Sequence, residues 1–214
     1  MSTDERYPAV LLFGAPGAGK GTQGKVLGNI PGFFHQSSGD VFRTIDVHSK
    51  EGEQFFAYSS RGELVPDDLT IQIWRKNLNA LRVLSLYKPK TDLLILDGIP
   101  RTVNQAKIME QYVNVLKVIY LVCEDEETMV ERLRRRALKE NRVDDARVEV
   151  IRRRWEVFKE ETRPILEFYS GEIVVKVDGV RGPAFVLQDI LRILAPIQDE
   201  HFGNALDDGS SLGR

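Results

Sequence analysis

A glycine-rich turn lies between an apolar run and a helical segment near the start of the sequence, and few folds accommodate that order. Residues 9–13 are all apolar and predict a short, fully buried strand. Gly14, Gly17 and Gly19 follow, and they let the backbone approach a ligand without Cβ atoms in the way. Such a turn directs backbone N–H groups and the positive end of a helix towards one point, where phosphate binds. The stretch therefore predicts a phosphate-binding loop in an α/β fold; the alternative is a glycine-rich turn that has no ligand.

The spacing of the loop residues departs from the general phosphate-loop pattern at one position. Gly14, Gly19 and Lys20 fit the pattern of glycine, four residues, glycine and lysine. The hydroxyl residue that should come next is replaced by Gly21, and a hydroxyl follows one residue later, in Thr22. We expect the Lys20 ammonium to contact the outer phosphates and the Thr22 hydroxyl to lie near the metal side.

The composition is that of an ordinary globular protein and argues against several classes. The chain of 214 residues is long enough for one α/β domain with a core that folds unaided. A formal net charge of −2 argues against a nucleic-acid partner held by bulk charge. The single cysteine, Cys123, provides no disulfide framework and no set of zinc ligands. The first residues are polar and no apolar run approaches the length of a membrane span, so we expect a cytoplasmic protein without a membrane partner.

Apolar runs recur along the chain with helical stretches between them, which is typical of a parallel sheet with crossover helices. Besides residues 9–13, strands are predicted at residues 33–36, 93–96, 118–122 and 173–177. Helices are predicted at residues 69–84, 126–139, 146–169 and 183–194, the third of them bent at Pro164, which lacks a backbone donor. Residues 1–199 are expected to form a single domain. Residues 200–214 have few apolar side chains and are expected to form a flexible tail.

Two polar motifs follow the loop. In residues 35–43 (HQSSGDVFR), a helix-entry signal is followed by Arg43, one turn into the helix. In residues 62–67 (GELVPD), a turn is followed by another helix start. Taken alone, the first motif favours a capped helix that carries a solvated arginine, and the second is equally compatible with a plain surface turn.

An acidic residue ends the strand predicted at residues 93–96. Asp97 stands at its carboxyl end, where an α/β sheet presents groups to ligands. Its carboxylate is suited to hold Mg²⁺ through water, because that ion keeps much of its hydration shell; alternatively it only caps the next turn. Arg101 follows the tight bend of residues 98–100 and is expected to point back over the same edge.

One amide and a group of arginines complete the candidate site. The Gln105 side chain offers one donor and one acceptor group, which complement the N6 amino group and N1 of adenine; the alternative is a glutamine on a helix surface. Arg132 and Arg136 are four residues apart and share a helix face. Arg142 lies in a polar turn, and Arg154 lies on the helix predicted after it. Many glutamates lie nearby, so for several of these arginines a solvated face is the alternative.

Five motifs in this order resemble those of adenylate kinases and related nucleoside monophosphate kinases, from about residue 7 to residue 195. They are the stretches GAPGAGKGTQ, HQSSGDVFR, GELVPD, DGIPRTVNQA and the arginine-rich segment from Arg132 to Arg154. The resemblance implies a P-loop NTPase architecture with the reaction MgATP + AMP ⇌ 2 ADP, in a monomer. It also implies a mobile AMP-binding segment at about residues 37–65 and a short lid at about 135–145 that lacks the zinc-bearing insertion of some bacterial relatives.

The resemblance further implies a role for each matching residue. ATP is expected to contact Gly17, Ala18, Gly19, Lys20, Gly21, Thr22, Arg132, Arg136 and Arg181, and Mg²⁺ to be held through water by Asp97. AMP is expected to contact Ser38, Arg43, Glu63, Leu64, Val65, Gly98, Ile99, Pro100, Arg101, Gln105, Arg142 and Arg154. The catalytic set is expected to comprise Lys20, Arg101, Arg136, Arg142 and Arg154.

Several positions depart from the family pattern and leave alternatives open. Ser38, Phe42, Ile99 and Asn141 replace the usual threonine, leucine, aromatic and glycine residues, and the segment from Asp145 is one residue longer, so that Arg154 is preferred to Arg153. Kinases specific for UMP or CMP typically carry Asn where Thr102 stands and lack the Gln-Ala pair, which favours AMP here. A UMP/CMP kinase and an ATP-binding switch without phosphoryl transfer remain the two alternatives.

Overall fold

The computed structural model describes residues 6–140, 147–169 and 171–203. Its strands are β1 (Tyr7–Phe13), β2 (Phe33–Ser37), β3 (Leu93–Asp97), β4 (Val113–Val122) and β5 (Val174–Asp178). The helices are α1 (Lys20–Leu27), α2 (Ser38–Arg43), α3 (Lys50–Ser59), α4 (Asp67–Val83), α5 (Val103–Met109), α6 (Glu126–Glu140), α7 (Val148–Val157), α8 (Ile165–Phe168) and α9 (Pro183–Phe202). A π-helical turn, Phe158–Thr162, directly follows α7.

The five strands form one parallel sheet in the order β2-β3-β1-β4-β5, which confirms the predicted fold class. Every residue of β3 is buried, because helices cover both faces of the sheet's centre. The main core combines the strand side chains with large residues from the helices, such as Trp74, Met109 and Met129.

The connections define where a ligand can bind. The chain leaves β1 towards β2 at one edge, whereas it leaves β3 towards β4 on the other side of β1. β1 and β3 are neighbours, so their following loops diverge and open a crevice at the carboxyl ends of these two strands. The glycine-rich turn follows β1 and Asp97 ends β3, so both predicted motifs meet there.

The structure corrects several predicted boundaries. The helix predicted at residues 146–169 is divided by the π-helical turn, so that α7 ends at Val157 and α8 begins at Ile165; residue 146 lies outside the described residues. β4 begins five residues before the predicted start, at Val113. Helix α9 passes through Pro196 and ends at Phe202, so residues 200–202 belong to this helix, and only residues 204–214 of the predicted tail lie outside the described residues.

A second, smaller core lies beside the main one. Phe42, Val65 and Ile73 form it, and Phe55 of α3 stacks on Phe42 with 4.9 Å between ring centroids. Phe42 thus contributes an aromatic contact at a position where the family that the sequence resembles usually has leucine. Six apolar residues of the predicted AMP-binding segment belong to this core, and none belongs to the main one.

Candidate active site

The glycine-rich turn connects β1 to α1 with a left-handed backbone at its end. Gly19 precedes the first residue of α1 and has φ of 99°, a conformation that side chains other than glycine rarely adopt. Gly14 is needed for space, because a Cβ there would lie 2.7 Å from the carbonyl oxygen of Leu121 in β4. The turn therefore presents its amides and the amino end of α1 to the crevice, as an anion site requires.

The Lys20 side chain folds back over this turn. Its Nζ donates hydrogen bonds to the carbonyl oxygens of Gly14, at 2.7 Å, and of Ala15, at 3.0 Å. Burial lowers the pKa of Lys20 to about 8. The Asp97 carboxylate opposes that shift, whereas three guanidinium groups add to it, those of Arg101, Arg136 and Arg154. A phosphate bound at this point would pair its negative charge with the ammonium and so stabilise the protonated form of Lys20.

One cleft of about 570 Å³ brings the predicted residues together. Every site residue predicted from the sequence lines it, with the sole exception of Arg142, which lies outside the described residues. The lining residues come from the loop, from α2 and residues 62–65, and from α6 and α7. The volume falls within the range of small-molecule sites.

Asp97 lies at the base of this cleft. It is only 6% exposed, and its Oδ2 lies 3.7 Å from Nε2 of His35 on the neighbouring strand. That nitrogen is buried and has no hydrogen-bond partner within the described part of the chain. The carboxylate stands beside Gly21 of the loop. A hard oxygen ligand next to a phosphate loop has the chemistry that Mg²⁺ prefers.

The carbonyl oxygen of Gly98 joins two residues predicted to contact AMP. It accepts hydrogen bonds from the Ser38 hydroxyl and from Nε of Arg101, each at 2.7 Å. At the other end of α2, Arg43 pairs with Asp40 one turn earlier, at 2.5 Å. Ser37, and not Ser38, caps helix α2, so the Ser38 hydroxyl is turned towards the cleft wall.

Gln105 is held more tightly than its sequence context indicates. Its Oε1 accepts a hydrogen bond from the backbone N–H of Arg101 at 2.7 Å, and its Nε2 donates one to Asp67 at 2.8 Å. The side chain lines the cleft although the residue is only 1% exposed. Each of its two polar groups retains one further hydrogen-bonding position, because an amide nitrogen has two N–H groups and its oxygen two lone pairs.

Helices α6 and α7 supply the arginines at the rim. Arg132 donates to the carbonyl oxygens of Gly179 and Val180, at 3.0 and 3.1 Å, and so supports the turn that follows β5. Arg136 lies one turn further along α6 and lines the cleft. On α7 it is Arg154 that lines the cleft, whereas Arg153 pairs with Glu156 at 3.2 Å. These positions agree with the preference for Arg154.

Arg181 lies at the edge of the cleft, next to the start of α9. Its guanidinium stacks on the Phe185 ring at 4.9 Å and pairs with Asp189 at 2.8 Å. The Arg181 guanidinium, stacked on Phe185 and paired with Asp189, presents a flat surface beside the turn of residues 179–180.

Two groups at the site were not found by sequence reasoning. The π-helical turn brings Phe158 and Thr162 to the cleft, and the Thr162 hydroxyl donates to the carbonyl oxygen of Arg101 at 2.8 Å. Asp67 accepts hydrogen bonds from Thr102, Asn104 and Gln105. The turn motif GELVPD was noted for its glycine and proline, and nothing in its spacing indicated a partner on α5.

A parallel sheet with a glycine-rich loop, an adjacent lysine and an acidic residue on the neighbouring strand defines a P-loop nucleotide-binding protein. The family model described as adenylate kinase matches residues 12–174. The chain is 36% identical to an adenylate kinase of Cyanothece sp. over 89% of this chain and 97% of the relative. It is also 38% identical to an adenylate kinase of Thermus thermophilus, over 82% and 90% of the two chains, and 37% identical to one of Nocardia farcinica, over 86% and 98%. The protein belongs to the adenylate kinase family.

Neither a membrane-spanning helix nor a clustered set of metal ligands occurs among the described residues. None of the helices within them is sufficiently long and apolar to cross a bilayer. The same residues hold no cluster of three or more His, Cys, Asp or Glu side chains placed to bind a metal ion.

Proposed function

We propose that the protein catalyses reversible phosphoryl transfer from MgATP to AMP, giving two ADP. The observation that carries this proposal is the convergence of a phosphate loop, an amide suited to adenine and arginines from three separate elements on one cleft. A protein that only bound ATP would not need Arg43 and Arg101 in the same cleft as the loop and the arginines of α6. The names of its relatives point in the same direction.

On the donor side, the loop amides and Lys20 hold the ATP phosphates. Lys20 exchanges its hydrogen bonds to the Gly14 and Ala15 carbonyl oxygens for phosphate oxygens. Arg132 supports the turn of residues 179–180, which with Arg181 receives the donor base. Asp97 would hold Mg²⁺ through its water shell, with the Thr22 hydroxyl nearby, and the ion would supply positive charge that neutralises the phosphates.

On the acceptor side, Arg43 and Arg101 hold the AMP phosphate in line with the ATP phosphates. Ser38 and the backbone of residues 63–65 and 98–100 line the nucleoside, and Gln105 reads its base. Phosphoryl transfer through a loose transition state needs alignment and charge stabilisation and does not require a protein nucleophile. Direct transfer from ATP to the AMP phosphate oxygen fits this requirement.

During transfer, arginines neutralise the charge on the moving group. Arg136 and Arg154 line the cleft, and we assign the same role to Arg142, which lies outside the described residues. A guanidinium suits this role because its planar fork matches phosphoryl oxygens. Loss of one such arginine is expected to cost on the order of 10³-fold in rate.

Two mobile segments exclude water from the reaction. The small core around Phe42 supports the first, at about residues 37–65, as a unit that moves separately from the main core. The second is the short lid at about residues 135–145, of which residues 141–145 lie outside the described residues. Closure of both keeps water from competing with AMP for the phosphoryl group. The enzyme is expected to act as a monomer in the cytoplasm, as its family resemblance implies, which gel filtration and fractionation test.

The test is ADP formation from MgATP with AMP, CMP, UMP or GMP offered one at a time. Turnover with AMP alone would support both the reaction and the role of Gln105. Turnover with CMP or UMP would support the alternative UMP/CMP-type kinase. ATP binding without turnover of any acceptor would favour a switch that transfers no phosphate, and would contradict the proposed reaction.

A further inference from the structure

The Asp67 carboxylate is the centre of a hydrogen-bond network between two helices. Asp67 is the first residue of α4, and its partners all lie at the start of α5, more than thirty residues away. Thr102 Oγ1 lies 3.0 Å from both carboxylate oxygens, Asn104 Nδ2 lies 2.8 Å from Oδ2, and Gln105 Nε2 lies 2.8 Å from Oδ1. Thr102 in turn caps α5 by accepting from the Gln105 backbone N–H. The network therefore holds Gln105 by both its backbone and its side chain.

The two partners of the Gln105 amide allow only one orientation. An ionised carboxylate can only accept a hydrogen bond, so the group facing Asp67 must be the amide NH₂. The backbone N–H of Arg101 can only donate, so the group facing it must be the amide oxygen. A flipped amide would place its oxygen against a carboxylate and its NH₂ against an N–H, and both hydrogen bonds would be lost.

The orientation of the amide decides which purine it can read. Adenine presents an amino donor at N6 beside an acceptor at N1, whereas a 6-oxo purine presents an acceptor at O6 beside an N1–H donor. These patterns are reversed with respect to each other. An amide whose NH₂ and oxygen are fixed in place can therefore hydrogen-bond to the edge of adenine. Against a 6-oxo purine, the same amide places its donor opposite a donor and its acceptor opposite an acceptor.

We propose that Asp67 is a positioning residue for base specificity, which locks the Gln105 amide in the orientation that accepts a 6-amino purine and rejects a 6-oxo purine. This inference rests on the proposed function, because it requires Gln105 to contact the acceptor base. Asp67 itself does not touch the base; it acts through Gln105. Thr102 and Asn104 hold the carboxylate in place and serve the same purpose.

The test compares AMP with IMP, which differ in the base only at position 6 and the N1 proton. The ratio of kcat/KM for AMP to kcat/KM for IMP is measured for the wild-type protein, for Asp67→Asn and for Asp67→Ala. Asp68→Asn is the matched control, since it removes the same charge from the same helix end at an exposed position outside the cleft. Thermal unfolding of each variant accompanies the kinetics.

We expect both Asp67 variants to lower the AMP-to-IMP ratio by about tenfold, the effect of losing a hydrogen bond to a charged group, and Asp68→Asn to leave it unchanged. A purely structural role would lower the melting temperature, or both activities together, without changing the ratio. An unchanged ratio in both Asp67 variants, with the wild type active on AMP, would overturn this inference alone. Absence of transfer to AMP by the wild-type protein would overturn the proposed function and this inference with it.

Discussion

The Lys20 ammonium lies 2.7 Å from the carbonyl oxygen of Gly14, within the same loop whose amides face the crevice. Among the described residues, the hydrogen bonds of this ammonium go to two uncharged carbonyl oxygens of the loop. Burial, with a smaller contribution from the surrounding arginines, lowers its pKa to about 8 against the opposing effect of Asp97. Without a ligand, the protonated form of this lysine is therefore only weakly stabilised.

The lowered pKa of Lys20 predicts that ATP affinity falls as the pH rises above 8. Bound phosphate stabilises the ammonium and raises its pKa, so above pH 8 the protein must take up a proton in order to bind. Between about pH 7 and about pH 9 the Kd for MgATP should increase roughly tenfold. Calorimetry at pH 8.5 in two buffers of different ionisation enthalpy would detect the proton uptake.

The control for this prediction is Lys20→Arg. A guanidinium stays protonated throughout this range, so any remaining affinity should vary little with pH and no proton should be taken up by this residue. An equally steep pH dependence in the arginine variant would show that another group titrates.

A second prediction concerns the turn supported by Arg132. Lysine at this position keeps the charge but cannot reach the Gly179 and Val180 carbonyl oxygens with two parallel donors. We expect Arg132→Lys to raise the KM for ATP about tenfold and to leave the KM for AMP unchanged. Steady-state kinetics with each nucleotide varied in turn would measure both values.

Arg134→Lys is the matched control for the Arg132 variant. Arg134 is an exposed residue of the same helix and does not line the cleft. Equal effects of the two substitutions, or a rise in the KM for AMP, would contradict the assignment of Arg132 to the donor side.

The strands were predictable because each buries an apolar run that contrasts with its flanks. The exception is the first half of β4, where exposed Asn114 interrupts the run and hides the strand. Helix α3 was missed because only Gly52 of its residues is buried, so its sequence shows no clear apolar face. The end of α9 was missed because Pro196 is usually a breaker, whereas here the helix continues through it.

The cleft was predictable from motifs, whereas its supporting contacts were not. Lys20, Asp97 and Arg101 each stand in a local pattern that has a physical meaning. The hydrogen bonds of Asp67 to α5 and of Thr162 to Arg101 join residues far apart in sequence. Such contacts depend on how helices pack, and one sequence holds no local signal for that.

The hydrogen bond from Thr162 gives a third prediction. The peptide groups of Arg101 are held on both sides, because its N–H donates to Gln105 and its carbonyl oxygen accepts from Thr162. Thr162→Val keeps the shape of the side chain but removes the donor, so the backbone that carries the Arg101 guanidinium loosens. We expect kcat/KM for AMP to fall about tenfold while the KM for ATP stays constant.

Thr91→Val serves as the comparison for Thr162→Val. Thr91 is exposed in the turn before β3, and its hydroxyl bonds only within that turn. The two variants should therefore differ in AMP kinetics. A loss confined to thermal stability in Thr162→Val would contradict a role in holding Arg101.

The last prediction tests the packing of α1 on β2. A Cβ at Gly24 would overlap the His35 ring, which lies buried between this helix and Asp97. Gly24→Ala should destabilise the protein by about 1–2 kcal/mol, since overpacking outweighs the gain in helix propensity. In a His35→Ala background the ring is gone, and the same substitution should be neutral or stabilise by up to about 1 kcal/mol. Urea unfolding of the four proteins of this cycle measures the coupling; additive free energies would mean that the ring moves aside at no cost and that Gly24 is not required for its space.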